Sequence, residues 1–169
     1  MRLLGRVHDR LTDASAWLGA LAVAAITYCY CHEIVARYFL NAPTTWANET
    51  STYLSLLTVM LMFPYVTRER GHVAISFLFE SLGSRNARIL LVVCLIFSVA
   101  VCLVSVWFTA VEVQRQYVRD VRMLDNALTP KWWLTSWFVY GFASSAIHFL
   151  RRVVGAWRGL ETADTQEGF

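Results

Sequence analysis

Apolar and charged positions segregate along this chain in blocks of tens of residues. Four predominantly apolar stretches, 14–36, 46–66, 87–115 and 132–151, are set apart by shorter polar or charged segments. A helix rising 1.5 Å per residue needs about 20 such residues to cross a hydrocarbon layer about 30 Å thick. The pattern predicts an all-α polytopic membrane protein, a single membrane domain over 1–169 with four transmembrane helices. The first stretch is interrupted by Glu33 near its end. The second opens on a polar turn, Asn48-Glu49-Thr50-Ser51, where the helix dipole favours an acid. Pro64 near its far end predicts a kink or a stop. The third carries no charge between 89 and 111, and its helical pattern runs on toward Arg122. The fourth opens with Trp132 and Trp133, side chains suited to a membrane interface, and closes on Arg151 and Arg152.

Between the second and third stretches the periodicity changes. Arg68-Glu69-Arg70-Gly71-His72 is a charged break, and the segment 73–82 after it is too short to span. Ile75, Leu78, Phe79 and Leu82 recur at i, i+3, i+4 and i+7, which is one helix face. This predicts a short amphipathic helix lying on the membrane surface. The polar tail 160–169 is expected to be disordered.

Composition sharpens this reading. The chain is 57% hydrophobic and 16% charged, with mean hydropathy +0.46. Its net charge of +3 comes from residues that border apolar runs, not from a basic stripe, so nucleic-acid binding is not expected. The first apolar run continues far past the small residues Ala20, Ala22 and Ala24, too long for a cleavable leader. With four spans both termini share one side. That side holds Arg2, Arg6, Arg10, Arg68, Arg70, Arg85, Arg88, Arg151, Arg152 and Arg158, and the other holds Arg37, Arg115, Arg119, Arg122 and Lys131. The positive-inside rule puts both termini in the cytoplasm.

Candidate chemistry is sparse. There is no G-x-S-x-G, H-E-x-x-H, phosphate loop or dinucleotide fingerprint, so no enzyme, cofactor or metal is expected. Cys29, Cys31, Cys94 and Cys102 lie in apolar runs and form no C-x-x-C pair. His32 sits near the outer end of the first span and His148 near the inner end of the fourth. Neither has a sequence neighbour at its own depth to share a haem, so each reads as an interfacial polar residue. The charged connection 33–49 stands out. Glu33 and Arg37 are four apart, close enough to pair on a helix, and Glu49 opens the next helix within reach of the same arginine. Both acids lie near helix ends, not at the midplane where carrier sites sit. The residues therefore read as a polar cluster that locks a hairpin, with a carrier role for the acids as the competing reading.

Two blocks resemble a known family. Arg37-Tyr38-Phe39-Leu40-Asn41, followed by Trp46 and Glu49, and then Arg68-Glu69-Arg70-Gly71-His72 before an apolar stretch, resemble the small membrane subunit, DctQ type, of tripartite ATP-independent periplasmic (TRAP) transporters. The family pattern often has two acids where this chain has Asn48-Glu49. The resemblance implies a non-catalytic subunit in the bacterial inner membrane that scaffolds a large permease subunit and helps dock a periplasmic solute-binding protein. It implies sodium-coupled uptake of an organic acid, with membrane lipids around the helices. Glu33, Arg37, Trp46 and Glu49 would form a structural or partner-contacting cluster, and Arg68, Gly71 and His72 a cytoplasmic loop motif. The alternative, from another class, is a membrane anchor for a quinone-linked redox complex.

Overall fold

A computed structural model describes residues 2–42, 44–69, 84–123 and 129–157. Among them are four α-helices: α1 (Arg2–Phe39), α2 (Trp46–Arg68), α3 (Ser84–Val118) and α4 (Lys131–Trp157). The chain is all-α in these regions, and α1, α2 and α3 are long and apolar enough to cross a membrane. With 27 residues α4 also has the length, but Trp132, Trp133, Trp137, Tyr140, Ser144, Ser145 and His148 dilute its apolar character. The expected surface helix 73–82, with Ile75, Leu78, Phe79 and Leu82, lies outside the described residues. So do Gly71, His72 and the tail 160–169.

Two helices outrun a bilayer. α1 has 38 residues and α3 has 35, about 57 and 52 Å at 1.5 Å per residue. In α1 the surplus is at the start: the helix begins at Arg2, well before the uncharged run that follows Asp13. In α3 part of the surplus is Glu112 to Val118, beyond the uncharged run.

The helices pack in the order α1, α2, α4, α3, each against the next. α1 turns small residues toward its neighbours: Thr12, Ser15, Ala22, Cys29 and Ala36 are buried, four of them at seven-residue spacing. Small side chains let backbones approach, and this is how helices associate where no hydrophobic drive exists between them. Ala47, Ser51, Leu61, Pro64 and Thr67 are the buried positions of α2. Between α3 and α4 the packing is bulkier, with Leu95 and Cys102 against Ala146 and Phe149.

Pro64 neither stops α2, which runs on to Arg68, nor is wasted. Proline has no N–H, so the carbonyl of Met60 loses its i+4 donor. Gly141 of α4 lies against that carbonyl: a Cβ built there would be 3.0 Å from Met60 O and 3.5 Å from Met60 Cα. The missing donor on one helix and the missing side chain on the other occur at the same point, so the two backbones meet there.

Candidate functional site

The hairpin between α1 and α2 is built around one carboxylate. After α1 the chain turns at Asn41, whose φ of 50° is left-handed, a region asparagine enters more readily than most side chains. The amide of Ala42 then donates to Ala36 O at 3.1 Å, and the chain folds back so that Thr44 reaches α1. Glu33 Oε1 accepts from Arg37 Nε at 3.1 Å and from Arg37 Nη2 at 2.7 Å. Glu33 Oε2 accepts from the Thr44 amide at 3.0 Å and from the Thr44 hydroxyl. A single side chain, 12% exposed, thereby ties the last turns of α1 to the loop leading into α2. Both of its oxygens are occupied by protein donors, which suits a structural tie better than a carrier group.

The other members of the expected cluster lie close by. Trp46 opens α2 and packs its ring 5.4 Å from the His32 ring. Glu49 sits in the first turn of α2. Asn48, not Glu49, borders a cleft of about 390 Å³ that Tyr30, Glu33, Arg37, Tyr38 and Thr44 also line. Arg68 is at the opposite end of α2, where its Nη2 is 2.5 Å from Asp13 and its Nη1 donates to Asp9 O at 3.2 Å. Thr44 carries no sequence signal for its role, because half of it is a backbone amide placed by the turn.

The faces turned away from the packing are apolar. Trp17, Tyr28 and Tyr38 on α1, and Phe97, Trp107 and Phe108 on α3, are all well exposed. At its C-terminal end α3 closes with the amide of Val121 on Gln116 O and that of Asp120 on Tyr117 O. This is a Schellman motif with Asp120, φ 44°, at the left-handed position. Buried Gln116 donates to Glu112 at 3.0 Å and accepts from Thr135 at 2.8 Å, joining α3 to α4. The segment after α3 pairs Met123 N with Thr129 O and Lys131 N with Val121 O.

A second polar assembly, at the end of the bundle opposite the hairpin, was not read from the sequence. His148 has a partner at its own depth after all. Its ring centroid is 4.4 Å from that of His8, because α1 starts at Arg2 and carries His8 down to the level of the end of α4. Thr12 meets His148 Nε2 at 2.9 Å, and His8 Nε2 meets Ser144 Oγ at 3.0 Å. Arg151 grips both oxygens of Asp9, at 2.6 and 3.2 Å, and holds that carboxyl below the usual carboxylate range. A trace was there to see: His8, Thr12 and Ser15 on one helix, and Ser144, His148, Arg151 and Arg152 on another, recur at spacings of three and four. Polar residues with that spacing mark a shared face. Nothing in the sequence says that the two faces meet.

Residues 26–159 match the family model for the DctQ component of tripartite ATP-independent periplasmic transporters. Comparison with curated proteins gives no match.

Proposed function

This chain belongs to the DctQ component family of tripartite ATP-independent periplasmic transporters, and on that premise we propose that it is a fixed scaffold for the transporter's large permease subunit. It is a small, multi-pass membrane subunit of a TRAP transporter, a transport component and not an enzyme. That membership sets aside the redox-anchor alternative. The family match over 26–159 carries the reading.

The arrangement of polar groups supports the scaffold role. The charged and hydrogen-bonded clusters lie at the two ends of the bundle, around Glu33 and around His148. Secondary transporters hold their cargo near the midplane. Substrate and sodium would then pass through the large subunit, in symport of an organic acid. The exposed aromatic faces of α1 and α3 suit packing against that subunit and against lipid. The outer end of α3, with Arg115 and Tyr117 exposed, would help receive the periplasmic solute-binding protein. α4 would cross the membrane with its neighbours α2 and α3. Both termini and the Arg68 end would face the cytoplasm of a bacterial inner membrane, and 73–82 would lie on that surface.

Affinity purification of this chain after co-expression with the large permease subunit tests the assignment. A stoichiometric complex is expected. A chain that remains alone while the permease transports at full rate without it would overturn the scaffold reading.

A further inference from the structure

We propose that His8, Asp9 and His148 form a binding site for one divalent transition-metal ion, clamping the start of α1 to the end of α4. A ring nitrogen from each histidine and a carboxylate oxygen of Asp9 lie within 4.8 Å of one another. Ligands of a tetrahedral ion at about 2.0–2.1 Å stand roughly 3.4 Å apart, so side-chain rotations would close the set.

The hydrogen bonds give the site its logic. Thr12 has one hydroxyl proton, and it goes to the carbonyl of His8 at 3.0 Å. At its 2.9 Å contact with His148 Nε2, Thr12 must therefore accept. His148 is thus held as the tautomer with the proton on Nε2, leaving a lone pair on Nδ1. His8 places Nε2 on Ser144, while its Nδ1 is buried with no hydrogen-bond partner. In His8 one nitrogen is held by a hydroxyl and the other is left over, and in His148 the hydroxyl of Thr12 holds Nε2. Metal-ligating histidines are oriented in this way, by an outer partner on the second nitrogen.

Asp9 completes the set on the open side. Arg151 occupies it, but a carboxylate has about four lone-pair directions and can serve a cation and a guanidinium together. The competing positive charge implies modest affinity. Two imidazoles and one carboxylate suit zinc and its neighbours, not calcium or magnesium, and water would supply the fourth ligand. The site is independent of the scaffold reading, since it is defined by this chain alone.

The test uses Co²⁺ as a spectroscopic probe on the full-length protein in nanodiscs. One equivalent should give the visible absorption of four-coordinate Co²⁺, and Zn²⁺ should displace it. His8→Gln, on the half-buried member of the pair, should abolish the signal while circular dichroism stays unchanged. Thr12→Val, which removes the outer partner of His148 along with the hydroxyl's bond to the His8 carbonyl and leaves all three ligands in place, should weaken binding about 10–100-fold. The proposal fails if the native protein gives no four-coordinate spectrum, or if His8→Gln leaves the spectrum intact.

Discussion

Adding one methyl group at Gly141 tests the packing that holds α2 to α4. The new Cβ would stand 3.0 Å from Met60 O, 3.2 Å from Met60 Sδ and 3.5 Å from Met60 Cα. The sulfur can swing away, but the carbonyl and Cα are backbone of a helix fixed on its other side by α1. Relief requires the two helices to part by a few tenths of an ångström, and overpacking of this kind costs about 1–3 kcal/mol. Alanine returns about 1 kcal/mol in helix propensity over glycine. Gly141→Ala should therefore be destabilising by roughly 0–2 kcal/mol, and Gly141→Leu by more. Gly19→Ala is the control. Its Cβ would lie closer still, 2.8 Å from Met62 Cγ, yet the nearest backbone atom, Thr58 O, is at 3.7 Å. A rotamer change in Met62 at about 0.5–1.5 kcal/mol nearly cancels the same propensity gain. Denaturation of each variant by titrating SDS into mixed micelles gives the comparison. Gly141→Ala should unfold at lower SDS than Gly19→Ala. The reverse order would refute the close backbone approach at Pro64.

Three further outcomes are expected. Glu33→Gln should lower the yield of complex with the large subunit, because Arg37 loses its ion pair, and Thr44→Val should lower it less, since the backbone bond to Glu33 survives; co-purification reads both. Asp13→Asn should cost no more than about 1 kcal/mol and the loss should shrink in high salt, because the Asp13–Arg68 pair is half exposed; denaturation at two salt concentrations measures this. In a cysteine-free background, an impermeant thiol reagent applied to spheroplasts should label Asp120→Cys and spare Arg10→Cys; labelling at Arg10→Cys would place the termini outside.

Sequence pattern reached as far as local physics extends. Apolar length alone marks α1, α2 and α3, since a charge-free run has few other uses. Spacing of four puts Arg37 on Glu33 because one helix carries both. Thr44 escapes such reasoning, because its partnership is made by the left-handed turn at Asn41. His8 and His148 escape it for a different reason. They are 140 positions apart, and a basic, polar start to α1 resembles a tail until the helix is seen to continue to Arg2. Pro64 shows a third kind of limit. Its effect on α2 follows from its missing N–H, but the use of the freed Met60 carbonyl depends on Gly141 in a helix that the sequence does not align with it.

As a scaffold, this subunit would support transport without carrying the cargo or the coupling ion. Uptake by reconstituted vesicles containing the three-component system, divided by the amount of assembled complex, measures that directly for Glu49→Gln and for the Glu33→Gln/Glu49→Gln pair. Uptake per complex and its ion dependence should be unchanged, with any loss confined to the amount assembled. An intact complex that no longer transports, or that changes its ion dependence, would contradict the scaffold reading.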